Sequence, residues 1–208
     1  MWLRAILAIM IGYLLGNING SVIISTQVVK DDVRRYGSGN AGLTNFFRSF
    51  GGFNTLLVAA IDVLKAVAAC LIGGFLLKGD GYWQEGLMLG AIAMSIGHDF
   101  PALLKFKGGK GILSGAAIAL VIDWRIFLVI FAGFALCYGT TKFVSLGSVV
   151  ASALFAIGFI VLHHDNLFLM LGGIFLGAMA IFMHRSNIKR LIAGTESKVY
   201  LTKKGSKS

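Results

Sequence analysis

Seven apolar runs, at roughly 5–29, 53–77, 86–100, 111–122, 126–137, 144–162 and 167–183, alternate along the chain with charged or Gly/Asn-rich connections. Such a chain has too little polar surface to coat a water-soluble globule: of its 208 residues, 57% are hydrophobic and only 13% charged. That balance excludes a disordered protein and a disulfide scaffold, and makes the bilayer the natural solvent. A segment crossing lipid must satisfy its own backbone N–H and C=O groups, so each run is expected to be helical. The expected fold is all-α: a polytopic integral membrane protein with about seven transmembrane helices in a single domain, 1–208, ending in a basic, flexible tail at 199–208. The first run carries Asn17 and Asn19 and lacks a small-x-small cleavage site, so it reads as a retained span rather than a removed signal.

Charge sets the expected orientation. If every run crosses, fifteen of the nineteen Lys and Arg residues fall on one face, Arg4, Lys78 and Arg125 fall on the other, and Lys65 lies within a run. The positive-inside rule then puts the crowded face and the C-terminus in the cytoplasm and the N-terminus outside. The weak stretch is 111–137, where two runs of 12 residues, each about 18 Å long as helix, flank Asp123, Trp124 and Arg125. One merged span would bury those charges at mid-bilayer, so two short helices in a hairpin are expected. A formal charge of +10 points to anionic headgroups and phosphorylated substrates, with no nucleic acid as partner. Cys70 and Cys137 both sit in apolar runs and imply neither a disulfide nor a zinc site.

Polar residues concentrate in three segments on that basic face. In DDVRRYGSGNAGLTNFFRSFGG, from Asp31, the residues Gly37, Gly39 and Gly42 permit a tight backbone whose N–H groups converge on an anion. Ser38, Asn40, Thr44 and Asn45 add side-chain donors, and Arg48 a fixed positive fork. GSGNAG also has the spacing of a dinucleotide fingerprint, but it follows a charged stretch rather than a strand. The second segment, GHDFPALLKFKGGKGILSG from Gly97, surrounds a Gly-Gly-Lys-Gly turn with Lys105, Lys107 and Lys110. Backbone amides of Gly108, Gly109 and Gly111, a positive helix N-terminus and Lys110 would there bind a second phosphate. It is no Walker loop, because Leu104 stands where that motif needs glycine. The blander alternative for Lys105 and Lys107 is contact with lipid phosphates. The third segment, MHRSNIKRLIAGTESK, carries His184 and Asn187 at i, i+3 on one helical face. Asp62 and Lys65, also at i, i+3, lie inside the second run, where a charge is costly and a structural ion pair is expected. His163 and His164 fall on the opposite face and read as bland.

RRYGSGNAGLTNFFR, GHDFPALLKFKGGKG and HRSNIKRLIAGTE, in that order and together with DVLK at 62–65, resemble the bacterial acyl-phosphate:glycerol-3-phosphate acyltransferases, the PlsY family. The resemblance runs from about Gly12 to Lys198. It departs at Gly16-Asn17-Ile18-Asn19, at Leu43 within GLTN and at Ala66 after Lys65, where the family commonly has GS-I-P, GATN and DxxKG. The resemblance implies a seven-helix enzyme of the bacterial plasma membrane, active at the cytoplasmic face. It would move an acyl group from acyl phosphate to the 1-hydroxyl of glycerol 3-phosphate, giving lysophosphatidate and phosphate, the first acylation of phospholipid synthesis. It places catalytic roles on Ser38, Arg48, Lys110, His184 and Asn187. Gly37, Gly39, Asn40, Thr44, Asn45, Lys107, Gly108, Gly109 and Gly111 become substrate-binding residues.

The chemistry agrees with the residue inventory. Acyl phosphate is a mixed anhydride with a good leaving group, so no covalent nucleophile, metal or cofactor is expected. Two phosphates must be held together against repulsion, and the carbonyl oxygen needs a donor as it becomes an oxyanion. Ser38 is expected to donate to substrate or oxyanion, and His184 and Asn187 to orient glycerol phosphate. The hydroxyl proton could pass to His184 or to the substrate phosphate, the latter favoured by the resemblance. Expected partners are thus acyl phosphate, glycerol 3-phosphate and membrane phospholipids, with the oligomeric state open. A small-anion or phospholipid transporter is the competing class, but no internal repeat is visible and the motifs gather on one face rather than at mid-depth. The H-x-x-x-x-D acyltransferases are excluded, because no histidine here has an aspartate five positions on.

Overall fold

The computed structural model describes residues 1–200, and no strand occurs among them. Ten α-helices follow in order: α1 Trp2–Asn17, α2 Gly20–Ile23, α3 Leu43–Ser49, α4 Asn54–Lys78, α5 Trp83–Asp99, α6 Ile112–Ile122, α7 Trp124–Thr141, α8 Val144–Leu162, α9 Leu167–Met183 and α10 Arg185–Ile192. Five helical stretches are long and apolar enough to cross a membrane, and a sixth is added if α9 and α10, bent by 56°, form one broken span. The apolar α6, at 11 residues, reaches only about 16 Å and does not span a ~30 Å hydrocarbon core alone.

The first run is interrupted. Ile18 leaves α1 extended, Asn19 caps α2 by accepting from the Val22 amide, and a π-helical turn, Ile24–Val29, completes the segment. The 111–137 stretch is a pair of helices, but only its first member is short. Asp123 caps α7 two residues ahead of the expected start, accepting from the Arg125 amide, and the helix runs on to Thr141. Thr140 and Thr141 remain helical, with their hydroxyls donating back to the carbonyls of Leu136 and Cys137.

α5 packs between α1 and α4, while α8 lies between α7 and α9 and α6 bridges the two groups through α4 and α7. Backbones touch where side chains vanish: a Cβ on Gly86 would overlap the Gly73 carbonyl of α4, and one on Gly97 would overlap Tyr13 of α1. Met88, Met94, Ile118, Ile126, Phe159 and Leu169 fill the shared core. Asp62 and Lys65 form the expected buried ion pair at 2.8 Å. His163, with its Nε2 3.1 Å from Asp123, ties the end of α8 to the α6–α7 turn.

Of the expected tail, Val199 is docked: its amide donates to the Lys142 carbonyl and its own carbonyl accepts from Tyr138. Residues 201–208 of that tail lie outside the described residues.

Candidate functional site

Three chain segments far apart in sequence close around one cavity of about 380 Å³. The 37–48 segment contributes Ser38, Asn40, Thr44, Asn45 and Arg48, the second loop Lys110 and Gly111, and the α9–α10 junction His184 and Asn187. These nine sequence-derived candidates line the cavity. Gly37, Gly39, Lys107, Gly108 and Gly109 do not, and each has a physical reason.

Gly37 and Gly39 shape the first loop from behind. Both have positive φ, and a Cβ on Gly37 would overlap the Asn45 side chain. Asn45 is the loop's internal clamp: its Nδ2 donates to the carbonyls of Val33 at 3.1 Å and Tyr36 at 3.0 Å, and its Oδ1 accepts from the Ser38 amide at 2.9 Å. The Gly39 amide donates to the Tyr36 carbonyl. With the Ser38 and Gly39 amides engaged, these two residues offer no free N–H, and the loop presents the side chains of Ser38, Thr44 and Arg48 to the cavity.

The second loop behaves similarly. The Gly108 amide donates to the Asp99 carbonyl at 3.2 Å and the Gly109 amide to the His98 carbonyl at 3.1 Å, so neither is free for an anion. Lys107 is exposed to solvent. Gly111, at φ +65°, caps α6, which leaves the first amides of that helix without intrahelical acceptors beside Lys110. Asn40 joins the two loops by donating to the Gly108 carbonyl at 3.4 Å.

The third segment brings in two groups that the motif pattern did not flag. Lys110 Nζ donates to Asn187 Oδ1, and Asn187 Nδ2 donates to Glu196 Oε1 at 2.8 Å. Glu196 Oε1 also accepts from Ser145 at 2.9 Å, and Oε2 pairs with Arg190 at 2.6 Å. Both Ser145 and Glu196 line the cavity. Burial works to raise the Glu196 carboxyl, but the donors Asn187, Arg190 and Ser145 together hold it below the usual carboxylate range. Arg48 donates to the Ser197 carbonyl at 2.8 Å, so the chain after α10 closes over the first loop.

Burial, with Arg190 nearby, pulls the Lys110 ammonium down to about 8. Burial likewise lowers Arg48 from its ordinary value. His184 is nearly enclosed, and its Nδ1 lies 2.8 Å from the Ala180 carbonyl, which can only accept. Nδ1 therefore carries the proton, and in the neutral ring Nε2 is an acceptor.

Opposite this polar cluster the cavity wall is apolar: Leu113 and Ala116 of α6, Phe127, Ile130, Phe131 and Phe134 of α7, and Ala151 of α8. Phe131 is also 59% exposed, so the apolar side of the cavity is open rather than enclosed. The site thus matches an amphiphile: cations and donors at one end, aromatic and aliphatic wall at the other.

Comparison with known proteins agrees with the geometry. The family model described as glycerol-3-phosphate acyltransferase matches residues 6–194. The chain is 41% identical over 196 residues to the glycerol-3-phosphate acyltransferase of Thermoanaerobacter pseudethanolicus, covering 94% of this chain and 96% of that one. It is 39% identical over 197 residues to the protein of that name from Clostridioides difficile, covering 93% and 95%. Two crystal structures of PlsY (YgiH), an integral membrane glycerol 3-phosphate acyltransferase, share the fold. The glycerol 3-phosphate form has a TM-score of 0.83 at 31% identity, covering 94% of this chain and 96% of that one. The lysophosphatidic acid form has 0.80 at 30%, covering 95% and 96%.

Proposed function

The chain belongs to the glycerol-3-phosphate acyltransferase family, and from that premise we propose that it transfers a fatty acyl group from acyl phosphate to the 1-hydroxyl of glycerol 3-phosphate. It is an all-helical, multi-pass membrane protein. The observation that carries the reading is the convergence of Arg48, Lys110, His184 and Asn187 with Ser38 at one end of a cavity whose other end is apolar. A soluble dianion fits the first end and a fatty chain the second.

In this reaction the glycerol oxygen attacks the acyl carbonyl carbon, the carbon–oxygen bond to phosphate breaks, and lysophosphatidate and inorganic phosphate leave. The protein's share is placement. Arg48 and Lys110 neutralise the two phosphates enough for them to lie side by side, and Ser38 donates to substrate or to the developing oxyanion. Asn187, its amide fixed by Glu196, holds Lys110 in place. His184 Nε2 accepts from glycerol and orients it, while the substrate phosphate, with a second pKa near 6, takes the hydroxyl proton.

The family relationship and the basic face support an active site on the cytoplasmic side of a bacterial plasma membrane, with the N-terminus outside. Cysteine accessibility at residues 38, 110 and 184 tests this: labelling of all three from the cytoplasmic side is expected, and labelling from opposite sides would overturn it. The donor is tested by giving purified protein labelled glycerol 3-phosphate with acyl phosphate, acyl-CoA or acyl-carrier protein. Lysophosphatidate from acyl phosphate is expected. Product from the thioesters alone would reassign the donor, and no product from any would return the site to anion transport.

A further inference from the structure

We propose that Lys65, which touches no substrate, is a positioning residue of the acyl transfer: one buried ammonium fixes the two loops that grip the phosphates. The assignment rests on the acyltransferase reading above.

An ammonium has three donors, and Lys65 Nζ has three acceptors around it. Asp62 Oδ1 stands at 2.8 Å, His98 Nδ1 at 2.7 Å and the Ile18 carbonyl at 2.6 Å. Lys65, Asp62 and His98 are each under 5% exposed. A structural pair would need only Asp62. Asp62 itself lines the cavity, and the other two contacts lead outward to the two loops beside it.

The first route runs through His98. Its Nδ1 accepts from Lys65, so its proton sits on Nε2, on the side facing Gly109, where a Cβ would overlap the imidazole. The Nε2 edge of the ring therefore abuts Gly109, and the carbonyls of His98 and Asp99 take the Gly109 and Gly108 amides. The next residue is Lys110. The second route runs through Ile18, the break between α1 and α2. Adjacent Asn19 donates from Nδ2 to the Ala41 carbonyl at 2.9 Å, and the Gly20 amide approaches Asp62 Oδ1 at 3.4 Å. Ala41 immediately precedes Gly42, Leu43 and Thr44, which line the cavity. Lys65 thus sits where the supports of both loops meet, and its loss would loosen the spacing of Arg48 and Lys110 without removing either.

The test compares wild-type protein with Asp62→Asn/Lys65→Met, which removes both charges together and leaves no lone buried ion. Amide hydrogen exchange and steady-state turnover are measured on the full chain in detergent. Exchange at Gly108 and Gly109 is expected to rise at least tenfold while mid-helix amides of α4 and α8 stay protected, and kcat is expected to fall at least tenfold. His98→Asn is the second variant: its amide oxygen still accepts from Lys65, but the ring against Gly109 is gone, so the same loosening is expected in a protein that keeps its ion pair. Combined with Lys110→Arg, His98→Asn should add little further loss, because it acts through the placement of residue 110. Wild-type turnover with unchanged loop exchange in His98→Asn, or fully additive losses with Lys110→Arg, would overturn the proposal. If wild-type protein itself does not use acyl phosphate, the functional reading fails, while the exchange result still decides whether Lys65 holds the loops.

Discussion

Lys110 and Asn187, 77 positions apart, meet at the mouth of α6, where the lysine ammonium donates to the asparagine side-chain oxygen. The same amide donates from its other end to Glu196, so the orientation of Asn187 is fixed by a carboxylate behind it and by a cation in front. Asn187→Leu removes both bonds and leaves Lys110 free to swing. A hydrogen bond to a charged group contributes about 1.5–3 kcal/mol, so turnover should fall roughly 10- to 100-fold. Asn187→Asp should fare no better, because it sets a second carboxylate against Glu196. Initial rates at saturating substrates check both, and wild-type kcat in Asn187→Leu would remove Asn187 from the mechanism.

Glu196 accepts from Asn187, Ser145 and Arg190, and its side chain is 2% exposed in the ion pair with Arg190. Glu196→Ala strands the buried donors of Asn187 and Ser145 and leaves the half-buried Arg190 to solvent, a loss of about 3 kcal/mol for the two unmet donors. For a chain of this size that corresponds to a Tm lower by roughly 6–12 °C. Glu196→Gln keeps an acceptor for Asn187 and should lie between. Thermal unfolding in detergent decides, and an unchanged Tm in Glu196→Ala would show that the chain beyond α10 is not anchored through this residue.

The parts of this site that stood out in the sequence did so by contrast. Ser38, Arg48, Lys110, His184 and Asn187 are polar residues in an apolar chain, grouped in Gly-rich or basic segments, and the resemblance they carried is borne out by the family match. Glu196 lacks that contrast: it sits in a stretch already polar, and its role arises through donors 6, 9 and 51 residues away. The second glycine loop misled in a specific way. Its sequence advertises free amides, but the Gly108 and Gly109 N–H groups fold back onto the carbonyls of Asp99 and His98, a pairing no local pattern discloses. The end of α7 is hidden for a similar reason: the apolar run stops at 137, while the Thr140 and Thr141 hydroxyls beyond it bond within the helix.

The apolar wall makes a separable prediction about the two substrates. Phe127 and Phe131 line the cavity from α7, remote in type from any phosphate ligand. Losing a phenyl group from such a wall costs about 1.5–3 kcal/mol when the acyl chain covers it fully. Phe127→Ala should therefore raise KM for acyl phosphate about tenfold or more and leave KM for glycerol 3-phosphate within about twofold. The reverse split would place the fatty chain elsewhere.

His184 has a different signature. If it orients glycerol and the substrate phosphate is the base, His184→Gln, which keeps an acceptor, should retain more turnover than His184→Ala. The pH profile of His184→Gln should then keep the shape of the wild-type profile. A residual rate in His184→Ala well above background fits this assignment, whereas complete loss in both variants would make the imidazole itself the base.

Lys110 supplies the pH dependence, and with two opposite signs. Its ammonium is lowered to about 8 from an ordinary 10.5, chiefly by burial and then by Arg190. The free enzyme grips an anion only while residue 110 is charged, so kcat/KM for glycerol 3-phosphate should be full near pH 7, halve near 8 and fall about tenfold by 9. Stability moves the other way. Between about pH 8 and 10.5 the unfolded chain holds a proton on this lysine that the empty folded protein has released, so stability rises with pH across that window. Lys110→Arg keeps its charge throughout; its activity should be flat from pH 7 to 9 and its stability should lose this rise. Measuring kcat/KM and Tm on the same two proteins across that range checks both signs, and a wild-type kcat/KM that stays level to pH 9 would remove Lys110 from the anion grip.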